Sequence, residues 1–134
     1  MQQLAIAWKT GSTDLLDGWE RVKACLIEAG IAEEKYQTHK GLIAFDRITN
    51  FVKGLPQPHF GIDASLMDID LSVGPGQPED LLRLTSSADI NWDDWVDHLG
   101  KAGELTQAFL VDSEYDRWQN AQDPIIYEAL ERPY

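Results

Sequence analysis

Cysteine is nearly absent: Cys25 is the only one in 134 residues. No disulfide can form within the chain, so a stapled secreted scaffold is excluded and a reducing, cytoplasmic setting is the expectation. Basic residues are also scarce, with 11 Lys and Arg against 23 Asp and Glu and a formal net charge of -12. That balance excludes direct binding to nucleic acid and disfavours anionic membrane surfaces. No apolar run approaches the roughly 20 residues that a bilayer-spanning helix requires. The start, Met1-Gln2-Gln3-Leu4, has neither the basic residues nor the long apolar stretch of a signal peptide. Internal repeats and low-complexity segments are missing too, and the length suits one domain covering residues 1–134.

The acidity is unevenly placed. Up to Phe60 there are seven acids and seven bases, so the first part of the chain is formally neutral. From Gly61 onward, 16 acids face only Arg83, Lys101, Arg117 and Arg132. The stretch from Asp63 to Asp97 holds nine of those acids and a single base, Arg83. A block of this kind repels itself on compaction, which proteins tolerate for solubility and also use to steer a basic partner onto a binding face.

Hydrophobic periodicity places several elements. Leu4 to Trp8 is a short apolar run ended by Lys9-Thr10-Gly11, a strand pattern. Ser12 or Thr13 is expected to cap a helix in which Leu15, Leu16, Trp19, Val22, Leu26 and Ile27 recur at helical spacing, with Gly30 as its C-terminal cap. Leu42 to Phe45 reads as a strand, whereas Asp46 to Val52 fits a helical turn or a strand continuation. Two prolines make Leu55 to Pro58 irregular. Met67 to Val73 alternates strictly, predicting a half-buried strand with Asp68 and Asp70 on its outer face. Pro78-Glu79-Asp80 predicts the opening of a short helix through Leu81, Leu82 and Leu84. Asn91 predicts a second N-cap, for a helix with Trp92, Trp95, Val96 and Leu99 inward and Asp93, Asp94 and Asp97 outward. Ala108 to Val111 reads as a strand, and Ser113 with Asp116 as a capping box for a short helix past Trp118 that Pro124 ends. Strands and helices mix without a regular βαβ rhythm, which predicts a single α+β domain, a mostly antiparallel sheet packed against two or three helices.

The spacings that suggest chemistry fail in their details. Asp68, Asp70 and Glu79 copy calcium-loop spacing, yet Val73 occupies the glycine position and Pro75 and Pro78 interrupt the loop. Asp94 and His98 are one helical turn apart and could share a metal, but they supply only two ligands, so no metal set and no cofactor is assigned. Cys25 lies beside an apolar stripe with no base implied near it, and no serine sits in a nucleophile elbow.

The segment Tyr115-Asp116-Arg117-Trp118-Gln119-Asn120-Ala121-Gln122-Asp123-Pro124, followed by Tyr127-Glu128, resembles the C-terminal ends of small acidic bacterial proteins in the immunity class of polymorphic toxin systems. The resemblance implies a non-catalytic protein that binds one cognate toxin domain and blocks its active site; it carries over no functional residues. Charge gives an independent route to the same expectation, because toxins that act on nucleic acids or nucleotides need basic clefts that a rigid acidic surface can fill. The expected partner-binding residues are Asp63, Asp68, Asp70, Asp89, Asp93, Asp94 and Asp97. The expected partner is thus a toxin or other basic protein, not nucleic acid or membrane. Two other classes stay open: an acidic adaptor, secretion chaperone or DNA mimic using the same surface, and a small metal-dependent hydrolase built on Asp94 and His98.

Overall fold

A computed structural model describes residues 2–74, 78–112 and 125–128. The chain starts with β1 (Gln2–Lys9), in which Leu4, Ile6 and Trp8 alternate onto one face and are fully buried. Helix α1 (Leu15–Ala29) follows, and its cap is Asp14 rather than Ser12 or Thr13. Asp14 has an extended backbone, and its carboxylate accepts the Asp17 N–H at 2.7 Å. The Ser12 hydroxyl is engaged elsewhere, donating to the Lys9 carbonyl and accepting the Glu104 N–H. Gly30 ends the helix at φ 71°, and the Gly30 and Ile31 N–H groups bond back to Ile27 and Leu26.

A hairpin of β2 (Lys35–Thr38) and β3 (Gly41–Ala44) comes next. The strand expected to reach Phe45 stops at Ala44, because Phe45–Arg47 turns as a 3-10 helix that leads into α2 (Ile48–Lys53). Asp46 to Val52 is therefore helical. Strands β4 (His59–Asp63), β5 (Met67–Ser72) and β6 (Glu79–Ser86) precede α3 (Trp92–Leu99), β7 (Leu105–Asp112) and β8 (Ile125–Glu128). The helix expected from Ser113 past Trp118, and most of the segment that carries the family resemblance, lie outside the described residues.

The expected helix after Pro78 is a strand. Asp80, Leu82, Leu84 and Ser86 alternate inward along β6, which fills the place between β5 and β1 and ladders with both. Period two wins here because β1 supplies main-chain partners along all of Glu79–Ser86 and β5 along residues 81–86. Asp80 does not serve a helix first turn. Its fully buried carboxylate accepts N–H groups from Gly11, Thr13 and Gly74 at 2.9 to 3.3 Å and so ties the loop after β1 to the loop after β5.

The strands form one sheet in the order β3-β2-β4-β5-β6-β1-β7-β8, and every pairing is antiparallel. This is the α+β arrangement implied by the mixed element pattern. Helix α1 packs against β5 and both other helices, and α3 packs against β1, so the three helices lie on the same face. Gly18 lets α1 approach β5 closely: a Cβ there would fall 2.6 Å from the Leu71 side chain. Between the layers lies one cluster that includes Trp8, Trp19, Tyr36, Ile69, Leu82, Leu84, Trp95 and Leu99. Each such side chain contributes about 1.5–3 kcal/mol through removal from water. Two of its tryptophans donate their ring N–H, Trp19 to Thr49 and Trp92 to Gln2, whereas the buried Trp8 Nε1 has no hydrogen-bond partner among the described residues. The other face of the sheet carries no described helix, and there the register sets Asp70 beside Arg83, Ala5 beside Phe109 and Asp63 beside Asp68.

Candidate functional site

The seven carboxylates expected on a partner-binding surface divide between opposite faces. Asp63, Asp68 and Asp70 project from β4 and β5 onto the open side of the sheet, whereas Asp89, Asp93, Asp94 and Asp97 are exposed on or next to α3 in the helix layer. They therefore form two patches and cannot meet a single flat partner together. Alternation along β5 and helical spacing along α3 correctly turn the acids outward; because sheet and helices bury their apolar faces against each other, outward is the opposite side for each.

On the sheet, Asp63 and Asp68 are direct cross-strand neighbours, a pairing of like charge that disfavours the fold. Partial burial raises the Asp68 pKa above its ordinary value, and repulsion from Asp63 and then Asp70 raises it further. Asp70 lies across Gly61, where an added Cβ would come 2.6 Å from its Oδ1.

The helix-layer patch is better supported. Asn91 caps α3 by accepting the Asp94 N–H, and its side-chain amide donates to the Asp94 carboxylate at 3.0 Å. Asp93 and Asp94 occupy the first turn, where exposed N–H groups and the helix dipole favour negative charge. Trp92 and Trp95 are buried beneath them, edge to face with centroids 5.6 Å apart, as expected of a core stripe that displays acids. Arg21 of α1 donates to the His98 carbonyl at 3.2 Å and fastens the two helices.

Between α1 and α3 opens a cleft of about 610 Å³. Glu28, Asp89, Asp94 and Asp97 line it with Trp95, Cys25 and His98, and among the described residues Lys101 is the single Lys or Arg on its wall. Glu28 and Lys101 were not expected there, since nothing local in the sequence indicates that the end of α1 faces α3. Burial pushes the Cys25 thiol up to about 12, with Glu28 adding to the rise and Arg21 opposing it. Near neutral pH the thiol is protonated and supplies no nucleophilic thiolate. Asp94 and His98 do share this cleft, but among the described residues no three His, Cys, Asp or Glu side chains are grouped as a metal site requires. Asp68 and Glu79 of the apparent calcium spacing lie on neighbouring strands, where Glu79 accepts the Thr106 hydroxyl instead of closing an ion-binding loop. Among the described residues no helix is long and apolar enough to cross a membrane.

No known protein family, characterised protein or solved structure matches the chain. The site's chemistry rests on its own residues: a concave, mostly acidic cleft with an aromatic wall and an adjoining row of exposed aspartates.

Proposed function

We propose that the protein is an immunity-type inhibitor, a non-catalytic binder that seats its acidic helix face on the basic active site of a cognate toxin domain and occludes it. The observation that carries this reading is the concentration of Glu28, Asp89, Asp93, Asp94 and Asp97 around the α1–α3 cleft, with Lys101 the only Lys or Arg lining it among the described residues. Such a surface draws a basic partner at a rate that falls as salt rises. Its rigidity supports the role: α3 is capped, underpinned by two buried tryptophans and fastened to α1, so little order has to be gained on docking. The function needs no cofactor and suits a reducing cytoplasm, where a lone buried thiol stays reduced.

Titration against a candidate nucleic-acid-cleaving toxin domain tests the proposal. Changing Asp93, Asp94 and Asp97 together to Asn is expected to weaken binding by about tenfold or more and to flatten its salt dependence. The matching triple change at Asp63, Asp68 and Asp70 is expected to leave affinity nearly intact. Undiminished binding by the first variant would remove α3 from the interface.

A further inference from the structure

Beyond the acidic face, we propose that β3 is a dimerisation edge, on which two copies of the chain pair antiparallel and join their sheets into one. The Phe45 N–H donates to the Glu34 carbonyl, which sets the phase of the β2–β3 ladder. Residue pairs 36/43 and 38/41 then exchange main-chain hydrogen bonds, while Leu42 and Ala44 turn their N–H and C=O groups away from β2. Nothing described pairs with that side, because β3 ends the sheet. Edge strands are usually protected by charge, proline or a bulge. The strand Gly41-Leu42-Ile43-Ala44 has none of these, and Leu42 is 65% exposed.

The occupant that fits is a second copy. Pairing Leu42 with the second copy's Ala44, and Ala44 with its Leu42, engages every outward main-chain group of both strands at once. In that register Ile43 faces its own symmetry mate. The same register brings Lys40, in the turn before the strand of each copy, to the end of the contact where Asp46, in the 3-10 turn after the strand, of the other copy lies, so an opposite-charge pair is within reach at both ends by symmetry; both side chains are exposed. Registers that pair Leu42 with Leu42, or Ala44 with Ala44, engage half as many groups and lose the Lys40–Asp46 match. Two chains of net charge -12 repel each other at long range, but that repulsion is not concentrated at this edge. The hairpin belongs to the formally neutral stretch before Phe60, and β2 and β4 separate it from Asp68 and Asp70 on β5. Tyr36, fully buried, and Thr38 anchor β2 to the core, so the edge is presented on a fixed hairpin.

Sedimentation velocity over a concentration series tests the pairing, with circular dichroism and thermal melting as folding controls. The wild-type chain is expected to pass from monomer to dimer with no larger species. Ala44→Pro should weaken dimerisation by about tenfold or more, since it removes an outward donor from each copy. The monomer should keep its fold, because Ala44 already sits at φ -63° and its N–H makes no bond to β2. Lys40→Asp should weaken the dimer, and combining it with Asp46→Lys should restore it, a rescue that remains informative even if the proline variant unfolds. A chain that stays monomeric throughout, a dimer indifferent to Ala44→Pro in a folded variant, failure of the charge swap to rescue, or open-ended oligomers from pairing of β3 with β8 would each overturn the proposal.

Discussion

The carboxylates of α3 and those of β4 and β5 come from one acidic stretch, yet they act on the fold in opposite directions. On α3 the acids occupy a helix first turn, and Asn91 gives Asp94 a hydrogen-bonded partner. On the sheet, Asp63 and Asp68 face each other across two strands, and the surroundings of Asp68 favour its protonated form. Equal formal charge is therefore not equal electrostatic cost. The same stretch holds a third case in Asp80, removed from water and surrounded by main-chain donors. The acid block is better understood as three environments than as one sum.

Substitutions can break this contrast at each of its points. The largest effect is expected at Asp80→Ala, which strands the Gly11, Thr13 and Gly74 N–H groups and should cost about 3 kcal/mol or more in chemical denaturation. Asp80→Asn keeps one acceptor oxygen and should cost less. A neutral Asp80→Ala would mean that the two loops do not depend on the carboxylate.

Next comes Asn91→Ala, expected to lose about 1 kcal/mol through the α3 cap. Hydrogen exchange should show the loss concentrated in the first turn of α3; exchange unchanged there would separate the cap from the stability of the acidic face.

The smallest effect, and the one opposite in sign, is expected at Asp68→Asn. A carboxyl whose pKa rises on folding binds its proton more tightly in the native state, so ionisation erodes stability as pH climbs through the interval between the unfolded and folded values. The variant should therefore be slightly more stable than wild type at neutral pH. The gain should fade as acidification protonates Asp68 in both states. Melts across a pH series measure this, and a gain that grows in acid would show that like-charge repulsion is not its source.

Periodicity in the sequence revealed much of this architecture. The helical stripe from Leu15 to Leu26, the alternation from Met67 to Val73 and the capped segment after Asn91 all appear as read, because each buries one regular face against the core, whereas Ile27, read as part of the same stripe, is 57% exposed. Strands β2 and β4 escaped notice since four or five residues with two buried side chains each leave little pattern. In β6, Leu81 sits on the open face and fills the gap between Asp80 and Leu82, masking an alternation that Asp80, Leu82, Leu84 and Ser86 keep. Solvent exposure of the aspartates was legible for the same reason that burial was. Their division into two patches was missed although it follows from two-layer packing, in which the outer faces of sheet and helices lie on opposite sides; the insertion of a distant β1 between β6 and β7 was not legible at all.

That insertion also governs how the molecule assembles. The first strand in the chain lies in the middle of the sheet, and both of its neighbours, Glu79–Ser86 and Leu105–Asp112, come late in the sequence. During synthesis β1 must wait unpaired, with Leu4, Ile6 and Trp8 uncovered, until Glu79–Ser86 and then Leu105–Asp112 have been made. Closure over so many residues makes for slow folding, and it leaves the newly made β1 exposed and in need of a chaperone's cover.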